Sequence, residues 1–279
     1  MNVPTVPDEV ADPPHQYLAA ERVMGAMATS GRRRLEHLDP LRVLLLAVLG
    51  GGFITAGALF SVLLADGFVA PGAKLLMAGL GFSTGFFFVI LADAVLFTEA
   101  NVVMPTVLLD RAGSWRRVAR FWALAWLGNL LGAWLVGNAL AIAQVFPTGM
   151  VAELTAFVGK KMAYAEVGTA GAWGRLVLSG VLANWLVGMA AFFSVMGRTI
   201  VGKYVPVFLA VSLFVAANLQ HSPANMGYFA LANALGVGPG WGAAIGWNIV
   251  PAGLGNMLGG FALVAWPFWF VARAGKADD

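Results

Sequence analysis

The sequence predicts an all-α polytopic membrane protein with six transmembrane helices, built as an inverted 3+3 repeat in which helices 2 and 5 are broken. Three observations lead there. The chain is 59% hydrophobic and only 11% charged, and it contains several apolar runs of 18 residues or more, long enough to span a bilayer as helix. Two short polar interruptions, Phe97-Thr98-Glu99-Ala100-Asn101 and His221-Ser222-Pro223-Ala224-Asn225, sit inside apolar segments and echo one another. A second echo follows about thirty residues after each, Leu127-Gly128-Asn129-Leu130-Leu131-Gly132 and Leu254-Gly255-Asn256-Met257-Leu258-Gly259. Matching interruptions in two halves point to a site between repeats, near the bilayer midplane.

Composition excludes several alternatives. A transmembrane barrel needs short alternating segments, and none is visible. With no cysteine there are no disulfides, thiolate ligands or cysteine nucleophiles. The three histidines, His15, His37 and His221, do not suit a multi-histidine metal centre, since two lie in the N-terminal extension. No metal, other cofactor or nucleic-acid partner is expected, and no motif for a nucleotide or catalytic nucleophile suggests an enzyme. The 35 glycines suit a bundle in which small residues let helices approach closely. The first forty residues carry Arg32-Arg33-Arg34 and lack the apolar core of a cleavable signal.

In chain order, residues 1–39 form a polar, proline-containing arm with room for a short amphipathic helix around Tyr17–Thr29 at the interface. A transmembrane domain over 40–272 follows, with repeats at about 41–144 and 173–271, and then a tail, 273–279. The spans fall near 41–65, 73–109, 118–144, 173–196, 203–235 and 241–271. The second and fifth are too long for simple crossings and contain the polar echoes. Pro105 and Pro223 support breaks there, because proline removes a backbone donor, and Pro206 suits a helix start. With both termini cytoplasmic, thirteen basic residues fall on the inner side against four outside (Lys74, Lys160, Lys161 and Arg175). That asymmetry accounts for the basic balance without nucleic acid. Three spans per half is an odd number, so the halves must be oppositely oriented. The ten tryptophans read as interface belt and packing.

The polar residues inside the spans are the candidate site. His221 is the single histidine within a predicted span; it could supply or relay a proton, or be a packing residue that fixes the break. Thr98 and Ser222 could offer hydroxyls to a substrate or bond local carbonyls. Asn101, Asn225, Asn129 and Asn256 are expected to tie the two breaks together. Intramembrane carboxylates mark function by default. Asp93 could be satisfied by a neighbouring helix or a cytoplasmic vestibule. Glu99 is expected to cap free amides of the second half-helix, with anion repulsion or proton acceptance as its rival role. Amides at half-helices starting near Ala100 and Ala224 would supply partial positive charge.

At these motifs the chain resembles the formate/nitrite transporter family. The residues are Leu96-Phe97-Thr98 at the second-helix break, Ala183-Asn184-Trp185-Leu186-Val187 in the fourth helix, and His221-Ser222-Pro223-Ala224-Asn225-Met226 in the fifth. Asn248-Ile249-Val250-Pro251 with Leu254-Gly255-Asn256 carries the match into the sixth, and Gly57 suits the small-residue first helix. The resemblance covers about 41–271. It implies an aquaporin-like protomer with its own pore, a homopentamer in the cytoplasmic membrane, and small monovalent anions or their conjugate acids (formate, nitrite, hydrosulfide) as substrates. It further implies apolar constrictions from Phe82, Phe86, Leu96, Phe97, Val187 and Phe214, with Thr98, Asn184 and His221 as the polar groups beside them. An aquaporin-like pore for a small neutral solute is the alternative. Three departures stand out. Val95 replaces the family's glutamate; Glu99-Ala100 replaces its Gly-Asn, or a residue is inserted before Asn101; and the family's lysine before the fourth-helix asparagine falls at Gly168, with Lys161 seven residues further away, so that either an insertion displaces it or the outer charge is missing.

Overall fold

The computed structural model describes residues 17–274, so His15, most of the C-terminal tail and the first part of the arm lie outside the described residues. Helix α1 (Ala20–His37) follows an isolated bridge between Tyr17 and Gly197. It is longer than the arm helix expected from the sequence. Helix α2 (Pro40–Ala65) begins where Asp39 accepts a hydrogen bond from Arg42 N at 2.9 Å and Pro40 presets the first turn. Then come α3 (Pro71–Leu91), α4 (Phe97–Leu109) and α5 (Trp115–Ala143).

The second half repeats this order. Helix α6 (Thr148–Val167) ends on Gly168 in the left-handed region, φ 64°. Helices α7 (Ala170–Met196), α8 (Ile200–Ala216) and α9 (Ser222–Ala234) follow. The last helix, α10, runs over Trp241–Arg273 with π-helical stretches at Ile245–Ile249 and Phe261–Ala265. Pro206 lies inside α8 rather than at its start. Among the described residues five helices (α2, α3, α5, α7 and α10) are long and apolar enough to cross a membrane, and α4 and α8 are shorter apolar helices. The protein is an all-helical, multi-pass membrane protein. Helix α6 has no counterpart among the predicted elements, because Glu153, Lys160, Lys161 and Glu166 make it read as a polar connection.

Close backbone approach explains the Leu-Gly-Asn echo. A Cβ on Gly132 would lie 2.0 Å from the Val48 carbonyl oxygen, and one on Gly259 would lie 2.1 Å from that of Val181. Nothing larger than hydrogen fits, so the motif glycines seat α5 on α2 and α10 on α7 in the same way.

The connections sort onto two faces. Leu18 N donates to Met196 O at 2.7 Å, and Asp110, after α4, accepts from Trp269 Nε1 at 2.8 Å and pairs with Arg273. The arm, the connection after α4, the α7–α8 connection and the end of α10 therefore gather together. On the opposite side Lys74, in the first turn of α3, pairs with Glu153 of α6 at 2.7 Å.

Candidate functional site

The site is assembled from two interruptions, Ala92–Leu96 between α3 and α4 and Ala217–His221 between α8 and α9. Their backbones repeat with an offset of 125 residues (Phe97 to Ser222). Asp93 (φ 49°) and Asn218 (φ 51°) hold the left-handed position that ends α3 and α8. After each, Ala94 N bonds Val89 O at 3.0 Å and Leu219 N bonds Phe214 O at 3.1 Å, the Schellman arrangement that satisfies late helix carbonyls. Asp and Asn tolerate this conformation better than other non-glycine residues. Helices α4 and α9 have 13 residues each and stop in the same way, at Arg111 (φ 54°) and Gly236 (φ 75°).

That register corrects the echo read from the sequence. The similarity of Thr98-Glu99-Ala100-Asn101 to Ser222-Pro223-Ala224-Asn225 is one residue out of frame. The backbone pairs Phe97 with Ser222, Leu96 with His221, and Thr98 with Pro223. Helices α4 and α9 begin at Phe97 and Ser222, not near Ala100 and Ala224.

The side chains of Asn129 and Asn256 each brace one interruption rather than tying the two together. Asn129 Oδ1 accepts from Phe97 N at 2.9 Å, and its Nδ2 donates to Ala47 O and Val95 O. Asn256 Oδ1 accepts from Ser222 N at 2.8 Å, and its Nδ2 donates to Gly180 O and Gln220 O. Each amide satisfies the first N–H of α4 or α9 and one carbonyl of irregular chain (Val95 or Gln220), groups that would otherwise be buried without partners, and ties them to a carbonyl within a neighbouring helix (Ala47 of α2 or Gly180 of α7). Asn225 Nδ2 reaches Gln220 Oε1 at 2.9 Å and Asn248 Oδ1. Asn248 in turn donates to Lys161 O at 2.8 Å. Asn101 differs: both polar atoms of its buried side chain lack a hydrogen-bond partner among the described residues. Placed by frame opposite Met226, it has no bracing role equivalent to that of Asn225.

Where α4 and α9 start, Thr98 Oγ1 lies 2.7 Å from His221 Nε2, both residues fully buried. His221 is the N-cap of α9, its Nδ1 accepting from Ala224 N at 3.1 Å. An acceptor Nδ1 places the imidazole hydrogen on Nε2, so Nε2 donates to the threonine hydroxyl. Asn184 Nδ2 spans the two interruptions, donating to Thr98 O at 3.3 Å and Asn256 O at 2.7 Å. The Ser222 hydroxyl is already engaged: it donates to Ile249 O at 3.0 Å and accepts from Trp126 Nε1 at 3.2 Å. Among the described residues the Thr98 and Glu99 N–H groups have no hydrogen-bond partner.

The candidate constriction residues are all buried. Phe82, Phe86, Leu96, Val187 and Phe214 share one apolar cluster, with Phe82 edge-on to Phe214 at 5.5 Å and Phe214 at 5.3 Å from the His221 ring. Phe97 belongs to a second cluster on the α1 side.

Charge is arranged differently at the two interruptions. Arg34 of α1, nearly buried, places NH2 2.7 Å from Asp93 Oδ1 and NH1 3.0 Å from Glu99 Oε2. Burial opposes its charge, but the Glu99 and Asp93 carboxylates outweigh that and raise the guanidinium pKa. Glu99 is thus paired with an arginine and does not cap α4, whose start has no side-chain cap. A cavity of about 140 Å³ lies here, lined by Arg34, Asp93, Glu99 and Lys203 and reaching Phe86. At the second interruption Lys161 of α6 donates to Leu219 O at 2.8 Å. Burial pushes its ammonium down to about 7.

The formate/nitrite transporter family matches this chain over residues 21–270. The chain belongs to that family. A probable formate transporter of Methanothermobacter thermautotrophicus is 30% identical over 259 residues, covering 88% of this chain and 94% of that protein. The solved structure of an FNT family ion channel superposes with a TM-score of 0.75 at 24% identity, covering 89% of this chain and 98% of that one. A pentameric formate channel with formate bound superposes with a TM-score of 0.69 at 22% identity, covering 83% and 97%. Gly168 is the left-handed C-cap of α6, and Lys161, two turns earlier, reaches the second interruption. Arg34, Gln220 and Asn248 were not among the sequence candidates. Arg34 is hidden within a basic run, Asn248 stands in the sixth-helix motif without a role attached, and Gln220 signals only through side-chain partners brought from other elements.

Proposed function

We propose that this family member is a channel for small monovalent anions or their conjugate weak acids, with formate as the leading substrate class and nitrite and hydrosulfide as further ones. Helices α3–α4 and α8–α9 would each make one broken crossing, giving six in an inverted repeat with one pore per protomer. The likeness to a pentameric formate channel supports a homopentamer. The clustering of basic connections on the α1 face supports a cytoplasmic-membrane protein with both termini inside.

The observation that carries the reading is the Thr98–His221 hydrogen bond where the two half-helices start. An anion entering an apolar ring loses hydration, at a cost of at least ~2.5–3.5 kcal/mol by analogy with a charged side chain at midplane. Three groups offset it in this geometry. His221 Nε2–H can turn from Thr98 to a substrate oxygen, the free Thr98 and Glu99 amides supply partial positive charge at the start of α4, and protonation of the anion removes the penalty. Chloride gains nothing from protonation, so a weak acid is favoured over it. Because His221 Nδ1 is occupied by Ala224 N–H, a relay through the ring would require that cap to open. His221 acts in the first instance as a hydrogen-bond donor. The neutral-solute alternative draws on a missing lysine, whereas Lys161 beside the second interruption favours the anion reading.

Stopped-flow assays in liposomes with formate, nitrite, hydrosulfide, chloride and glycerol test the proposal. Formate is expected to move and chloride and glycerol are not. His221→Asn should slow formate by about tenfold, the value of one charge-assisted hydrogen bond. Glycerol flux without acid flux overturns the reading, and an unchanged His221→Asn rate and pH profile overturns the role of the histidine.

A further inference from the structure

The α1 side of the pathway presents a problem of charge. Glu99 is one residue from Thr98 in the first turn of α4, and Asp93 belongs to the interruption that carries Leu96. Two carboxylates at the mouth of a pore for anions would repel the permeant, and a narrow, low-dielectric cleft strengthens such a field. Glu99 is about one-quarter exposed (23%), so water screens it incompletely.

The compensating charge comes from outside the pore helices. Arg34 projects from α1, holds both carboxylates and is itself 7% exposed. Arg33 approaches Asp93 at 3.9 Å but is well exposed. Lys203 lines the same cavity, yet among the described residues the ion pair to Glu99 comes from Arg34. Helix α1 is held against α4 by close packing, since a Cβ on Gly31 would lie 2.7 Å from Val107 and 2.9 Å from Val103 side-chain carbons. The guanidinium is therefore a fixed part of the mouth.

We propose that Arg34 is a specificity-determining residue of the permeation pathway: by cancelling the charge of Glu99 beside Thr98 it keeps the α1-side mouth open to monovalent anions, and it makes the arm helix part of the selectivity device. This rests on the anion-channel reading. The carboxylate without its arginine turns the same mouth into one that favours cations.

The test uses the purified full chain in planar bilayers and liposomes under a potassium formate gradient, reading formate flux and reversal potential for wild type, Arg34→Gln, Glu99→Gln and the double variant. Wild-type formate conduction tests the channel reading by itself, and the variants are compared only with that wild type. Arg34→Gln should lower formate flux by about tenfold and move the reversal potential toward potassium. Glu99→Gln, which leaves Arg34 on Asp93 and the backbone N–H in place, should move it toward formate. The double variant should return to within about twofold of wild type, because both charges are gone. A merely structural Arg34 would leave reversal potentials unmoved. The proposal is overturned if Glu99→Gln causes no shift, or if the double variant stays as low as Arg34→Gln. Glu99→Gln folds independently of whether the arginine variant does, so the first of these outcomes is always available.

Discussion

The two interruptions have one backbone and two chemistries. At both, a left-handed Asp or Asn ends a helix, an asparagine from the Leu-Gly-Asn motif ties down the irregular chain, and a 13-residue helix restarts. At the second, His221, Asn225, Gln220, Asn248 and Asn256 form one bonded network around the start of α9, in which Asn225 Oδ1 is left without a partner among the described residues. The first leaves two amides open and Asn101 unpartnered, and sets a carboxylate pair against Arg34. Its counterpart charge on the other side is Lys161, bonded to a carbonyl. Backbone symmetry is thus kept where it satisfies peptide groups, and side-chain chemistry diverges where a permeant would pass.

Breaking that comparison begins with the shared asparagines. Asn129→Ala and Asn256→Ala should each destabilise the protein by about 2 kcal/mol or more, because each leaves one N–H and one carbonyl of irregular chain buried without partners at about 1–3 kcal/mol apiece. Thermal melts in detergent should show similar losses for the two. A tolerated Asn256→Ala would deny the equivalence. The frame correction predicts a smaller but sharper contrast. Asn225→Ala should cost about 1–3 kcal/mol, while Asn101→Ala should cost at least ~1 kcal/mol less than that, because it removes buried polar atoms that have no partner to lose. Equal losses at Asn101 and Asn225 would restore the frame read from the sequence. The smallest effect concerns charge. With its pKa lowered to about 7, Lys161 loses its proton as pH rises through neutrality, so its attraction for anions should fade between about pH 6 and 8. Formate flux corrected for the acid fraction should fall by about twofold to fivefold across that range in wild type. It should stay flat in Lys161→Met, and a wild-type slope that survives the substitution would exclude Lys161 as its source.

Much of this was legible in the sequence because a membrane imposes simple rules. Apolar runs marked the long helices within a few residues, as α2 and α7 show against spans expected at 41–65 and 173–196. The Leu-Gly-Asn echo marked both close helix contacts and both bracing asparagines. Helix α6 was missed because its charges imitate a loop. The four-residue echo at Asn101 misled because a match of small residues carries no frame, whereas hydrogen bonds from Ala94 and Leu219 do.

The sequence by itself determined the helical class, the family, the place of both interruptions and the pairing of Asn129 with Asn256, since these follow from hydropathy and local motifs. The tertiary structure decided the partners of the charges. Whether Glu99 caps a helix or meets Arg34, 65 residues away in the chain, and whether Lys161 is lost to a loop or reaches Leu219, depend on how α1 and α6 fold back over the interruptions. Ion pairs and buried hydrogen bonds act over a few ångströms of space, and no spacing along the chain encodes that distance.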